Sequence, residues 1–243
     1  MTTITLLGDS VLDNFFWLND QEKDLTYDLG TLGYRVCNLA VDESRLSNVV
    51  GSIVPNEIYR NSRRYPYPCN DEGVMEPLKL LKPCDIVVLS VGGNDFRSNL
   101  GNLIFGIDKF LSMIINPDFI KTFDGLLSTL KSRAKKVILV CVYAPYLGAG
   151  SQYQLMASFK DSVYDKIRIF LQYLCKRHNI ALLDLSRTFN PYDRSHYGTT
   201  EIEPSNKSSR CIAECIAYID HHYEGYHTYY APNCEINGII KEV

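Results

Sequence analysis

The sequence lacks any run of eighteen apolar residues, so no helix of it is expected to span a bilayer. It lacks a basic excess: 25 Lys and Arg stand against 28 Asp and Glu, a formal net charge of −3. That leaves no electrostatic footprint for nucleic acid or an anionic membrane, and neither is expected as a partner. Its eight Cys form no CxxC pair and no zinc-finger spacing, and Cys211 and Cys215, one helical turn apart, have no companion pair. Reduced thiols and no bound metal are the expectation. No basic segment with a cleavage site precedes the first apolar run, which reads as a cytoplasmic protein without a secretory leader. No Gly/Ser-rich or Pro-rich linker, internal repeat or low-complexity tract divides the chain, so residues 1–243 are expected to form one domain. The Gly148 and Gly150 pair lacks the Lys and the strand-turn-helix setting of a phosphate loop, and no cofactor is expected.

What is present is a chain of 243 residues, 46% apolar and 12% aromatic, enough to bury a sizeable core. Apolar runs read as buried strands at Ile4 to Leu7, Tyr34 to Val41, Pro83 to Val91, Lys136 to Tyr143 and Ile180 to Leu185. Helical spacing lies between them: Phe15 to Leu32, Leu103 to Ile115, Asp118 to Arg133, Gln154 to Lys176, and a last helix from Pro204 to about Asp220. This alternation predicts a three-layer α/β/α sandwich on a mostly parallel, five-stranded, flavodoxin-like sheet. Residues 55–73 break the pattern with Tyr59, Arg60, Arg63, Arg64, Tyr65 and Tyr67. They read as a solvated insertion, the alternative being a substrate-covering loop. The Tyr- and His-rich tail, 221–243, reads as an extra strand or hairpin.

Two strands end in Gly-flanked polar turns. The first gives Gly8-Asp9-Ser10 and the third Gly92-Gly93-Asn94-Asp95, both at carboxyl ends, where open α/β sheets place their ligand crevice. Ser10 is therefore placed as a nucleophile. Each turn also has a purely structural reading: Asp9 as a turn acceptor, Asn94 as a tie between loops, Asp95 as a cap.

With those blocks in place the chain resembles the SGNH (GDSL-type) hydrolase superfamily over nearly its whole length. Gly8-Asp9-Ser10, followed by Asp13-Asn14, is similar to the first family block, Asn38 to Ser44 to the second, and Gly92-Gly93-Asn94-Asp95 to the third. In the second, Glu43 stands where the family usually has Gly. In the fourth, usually Asp-x-x-His-Pro, this chain reads Thr200-Glu201-Ile202-Glu203-Pro204-Ser205. Thr200 thus takes the place of the Asp and Glu203 that of the His, which resembles a branch reading Ile-Glu-Pro-Ser.

The resemblance implies cleavage of a small-molecule, lipid or carbohydrate ester through an acyl-Ser10 intermediate. The oxyanion would be met by the backbone N–H of Ser10, a backbone N–H near Glu43 and the Asn94 side chain, with Asp9 and Gly93 shaping the site. The base is open between two residues. Glu203 holds the family position, but a carboxylate is a weaker base than imidazole unless burial strengthens it. Asp193-Arg194-Ser195-His196 is a literal Asp-x-x-His seven residues earlier, with Asp193 spaced to orient His196; an exposed loop His is the plainer reading. Two other readings are a catalytically impaired binding module that keeps the pocket, and a metal-dependent phosphoesterase using Asp9 and Asp13.

Overall fold

The computed structural model describes residues 1–20, 23–57 and 66–243. Its strands are β1 (Thr3–Gly8), β2 (Arg35–Asn38), β3 (Cys84–Ser90), β4 (Ala134–Val140), β5 (Ala181–Leu183), β6 (Thr228–Tyr230) and β7 (Ile240–Glu242). They form one sheet in the order β2-β1-β3-β4-β5-β6-β7. The pairs from β2 to β6 are parallel, and β7 lies antiparallel on β6.

Successive residues of the central strands feed opposite faces, as the period of two requires. Leu7, Val87, Leu89, Val137 and Leu139 enter one core, and Ile4, Leu6, Ile86, Val88, Ile138 and Val140 enter the other. A sheet buried on both faces needs near-continuous apolar strands, which is why β1, β3 and β4 are legible in the sequence. Helices Pro117–Arg133 and Lys160–His178 cover the first face through Phe123, Leu127, Ile167 and Leu171. Leu25–Thr31 and Asn206–His221 cover the second through Leu25, Leu29, Ile212 and Ile216. No helix among the described residues is long and apolar enough to cross a membrane, and the eight Cys are free thiols.

The sheet has seven strands where five are expected. Both additions come from the tail, which is expected as an extra strand or hairpin and supplies β6 and the antiparallel β7, each three residues long. The expected helix from Phe15 to Leu32 is instead a 3₁₀ turn at Phe15–Trp17 and a separate helix at Leu25–Thr31. Two side chains divide them: Asn14 accepts the Leu25 N–H through Oδ1 at 3.2 Å, and Asp24 caps the second helix by accepting from the Tyr27 N–H at 2.8 Å. In the 55–73 insertion, Tyr59, Arg60, Arg63, Arg64 and Tyr65 lie outside the described residues. Tyr67 is buried rather than solvated, and its hydroxyl donates to the carboxylate of Asp13.

Candidate active site

The site begins at the carboxyl end of β1. Gly8 takes φ +133°, and a Cβ there would lie 1.7 Å from the carbonyl oxygen of Ser90. Only glycine lets the two strand ends approach this closely. The Asp9 N–H donates to that same carbonyl at 3.1 Å. The Asp9 carboxyl, 3% exposed, accepts at one oxygen from the Ser90 hydroxyl at 2.7 Å and from the Val11 N–H at 3.2 Å. Burial pushes its pKa up to about 7, with the charges of Asp95 and Glu203 adding to the rise and the two hydrogen bonds opposing it.

Ser10 follows, buried, with its Oγ donating to Oε1 of Glu203 at 3.4 Å across 193 residues of chain. Glu203 is 4% exposed, and its other oxygen accepts a hydrogen bond from the Thr200 hydroxyl. Thr200 Oγ1 in turn accepts from the N–H groups of Ile202 and Glu203, each at 3.2 Å. The segment is anchored from outside: Tyr143 Oη donates to the Ile202 carbonyl at 2.7 Å, and the Glu203 carbonyl accepts from the Gly198 N–H at 2.8 Å. The result is a hydroxyl–carboxylate–hydroxyl chain, Ser10–Glu203–Thr200.

Asn94 and Ser10 line the same cleft, together with Asp9 and Gly93. The bare face of Gly93 looks toward Asp9, an added Cβ there lying 3.6 Å from Oδ2. Asn94 Nδ2 donates to the Ser44 carbonyl at 3.1 Å, tying the third block to the second, and Asp95 accepts from the Leu46 N–H at 3.0 Å.

The second block differs from expectation at its donor. Glu43 adopts a left-handed φ of 62°, uncommon away from glycine, and its N–H donates to Oδ1 of Asp42 at 2.8 Å. It is thus taken up by a neighbouring side chain. Burial, then the charges of Glu203 and Asp13, push Asp42 up to about 7 as well. Asp13 accepts from the Tyr67 hydroxyl and from the Asp42 N–H, so Asp9 and Asp13 turn to different partners.

His196 does not join this group. It is fully buried, its Nδ1 accepts from the Asn190 N–H at 2.9 Å, and its Nε2 lies 3.1 Å from Lys207 Nζ and 3.7 Å from Asp193. Burial, then Lys207, lowers its pKa below the usual imidazole range. Asp193 is spent on the Ser195 N–H at 2.9 Å, capping a 3₁₀ turn at Arg194–His196. The sequence reasoning missed Ser90, Tyr67 and Tyr143. For Ser90 a signal existed, since it ends β3 in register with Gly8. Tyr67 and Tyr143 carry no local signal, because their partners lie 54 and 59 residues away.

Neither a family profile nor a curated protein sequence matches the chain. Solved structures do match its fold. A lipase from a goat rumen metagenome aligns over 90% of this chain and 97% of its own, at TM-score 0.64 and 15% identity. An extracellular lipase from Streptomyces rimosus covers 86% and 95%, at 0.57 and 16%. An acetylxylan esterase from Geobacillus stearothermophilus covers 92% and 95%, at 0.51 and 15%. At such identities the likeness is one of fold.

Proposed function

We propose that this chain is a serine ester hydrolase of the SGNH type in which Ser10 is the nucleophile and Glu203 the base. The observation that carries the reading is the 3.4 Å contact between the hydroxyl of Ser10, which lines the cleft, and the buried carboxylate of Glu203. Structural likeness to lipases and an acetylxylan esterase supports the reaction class.

Ser10 Oγ attacks the ester carbonyl carbon as its proton passes to Glu203. The oxyanion is met by the Ser10 N–H and the second amide proton of Asn94, whose first is held by Ser44. Collapse breaks the ester C–O bond, and the proton on Glu203 goes to the leaving oxygen, releasing an alcohol. Water then attacks the acyl-Ser10 carbonyl, giving a proton to Glu203, which returns it to Ser10 Oγ as the carboxylic acid departs. Thr200 holds Glu203 in position. His196, with both ring nitrogens occupied elsewhere, serves the fold of the 190–207 segment, and Asp193 caps its turn.

The test is covalent labelling by a fluorophosphonate together with hydrolysis of glycerol esters. Ser10→Ala loses both, Glu203→Gln slows hydrolysis by about 10²–10⁴-fold, and His196→Ala retains the rate of its folded fraction. Equal rates for Glu203→Gln and the wild type would remove the assignment of the base. A second reading, a binding module that keeps the pocket, draws on one observation. The Glu43 N–H, expected as an oxyanion donor, is consumed by Asp42. Folded protein that neither labels nor hydrolyses any ester would establish that reading.

A further inference from the structure

The two groups of the 3.4 Å contact face different cavities. Ser10 and Asn94 line the cleft, whose remaining walls include Phe96, Leu100, Val142, Met156 and Tyr164. Glu203 lines instead a second cavity, with Trp17, Asp42, Glu43, Gln152, Thr200 and Glu201. Arg97, Tyr153 and Ile202 belong to both walls, so the cavities adjoin across those three side chains. Away from Ser10 and Asn94 the cleft walls are mostly apolar, whereas the second cavity is lined mainly by carboxylates, an amide and a hydroxyl, with Arg97 common to both.

Resting on the hydrolase reading, we propose that the substrate is an ester of an extended apolar acyl chain with a polyhydroxylated alcohol. The acyl chain lies in the cleft beside Ser10 and the alcohol in the cavity beside Glu203. Proton traffic sets the direction. The leaving oxygen receives its proton from Glu203, so the alcohol must lie on the side Glu203 faces. The acyl carbon stays bonded to Ser10 after the first step, so its chain extends on the side Ser10 faces.

The walls agree with that direction. Apolar side chains around the cleft gain about fourfold in affinity for each methylene they remove from water. In the second cavity Glu43 and Glu201 are acceptors. Glu201 Oε2 already takes the Ser151 hydroxyl at 3.1 Å and the Gln152 N–H at 3.2 Å, which leaves its other oxygen for a substrate hydroxyl. An apolar alcohol there would desolvate these carboxylates without replacing their hydrogen bonds.

Two esters of opposite polarity decide the matter. 1-Octanoylglycerol places the chain on the acyl side and octyl acetate places it on the alcohol side. The expected result is a kcat/KM at least about a hundredfold greater for octanoylglycerol. Leu100→Trp, which fills the cleft, should lower the octanoylglycerol to acetylglycerol ratio about tenfold; Val142→Phe reads the same ratio should the first variant fail to fold. Equal or reversed preference, or a ratio neither variant moves, overturns the assignment. Labelling by an alkyl fluorophosphonate separates the two readings. Ser10 labelled with neither ester cleaved removes the polarity assignment alone; no labelling and no cleavage remove the hydrolase reading with it.

Discussion

Thr200 and Asp9 are held differently, and each makes a different demand on the site. Thr200 contributes one hydroxyl that donates to Glu203 and accepts from two backbone N–H groups. Thr200→Val keeps the shape and removes all three bonds. Leaving buried N–H groups unpaired costs about 1–3 kcal/mol, and the misplaced carboxylate should lower kcat roughly tenfold with KM little changed. Thr200→Ser should restore both, as steady-state kinetics and thermal melts would show. Asp9 is a buried acid with its pKa raised from the ordinary 3.8 to about 7. The native state therefore binds a proton that the unfolded chain releases between roughly pH 4 and 7. The stability this proton confers is complete below the unfolded pKa and is lost as pH rises through the folded one. Asp42, shifted in the same direction, adds to the slope. Asp9→Asn mimics the protonated acid, so its melting temperature should fall less than that of the wild type between pH 5 and 8. The difference at pH 8 is on the order of 4 kcal/mol, as an upper figure. Parallel melting curves for the two proteins across that range would contradict the burial of an ionisable Asp9.

The strand-end turns concentrate the constraints at the next scale. Gly8 combines a positive φ with a backbone carbonyl where a Cβ would be. Gly8→Ala should cost roughly 3 kcal/mol or more, because neither Ser90 nor β1 can retreat without breaking the parallel ladder. A melting temperature within two degrees of wild type would show that the β1 and β3 ends are not packed as described. These turns are also where the sequence was most legible. Strands buried on both faces announce themselves as apolar runs, and Gly8-Asp9-Ser10 and Gly93-Asn94 were identified at their ends. The base stayed open because two carboxyl- or imidazole-bearing sites, Glu203 and His196, lie seven residues apart. Only the fold shows that one reaches Ser10 while the other is enclosed by Asn190, Lys207 and Asp193. The Glu43 N–H departs from expectation for a related reason: nothing local in the sequence marks Glu43 as left-handed, and in the fold its N–H donates to Asp42 Oδ1. Phe15 to Leu32 misled because Leu spacing continues through a segment that Asn14 and Asp24 interrupt by side-chain capping.

Across the whole molecule the sheet is asymmetric. The β1 and β3 ends carry Ser10 and Asn94, while the far edge is closed by the tail strands. That closure turns on Arg187. Its Nε donates to Asp184, whose side chain is fully buried, and its Nη1 donates to Glu242 of β7, each at 2.7 Å. Its guanidinium stacks 3.7 Å from the Tyr230 ring, and the Tyr230 hydroxyl donates to the other Glu242 oxygen at 2.7 Å. Deleting residues 236–243 removes β7, opens the free edge of β6 and leaves Arg187 with Asp184 and Tyr230 alone. The loss should be about 2 kcal/mol, or roughly 4–8 °C in Tm for a chain of this size. An uncovered parallel edge also invites pairing between molecules, so the truncated protein should self-associate on size-exclusion chromatography. Ser10 and Asn94 are carried by strands on the opposite side of β4, so labelling of the folded fraction by fluorophosphonate should persist. Labelling abolished in truncated protein that still melts cooperatively would mean that the tail reaches the site through the sheet, and that edge closure and active-site geometry are a single property of the fold.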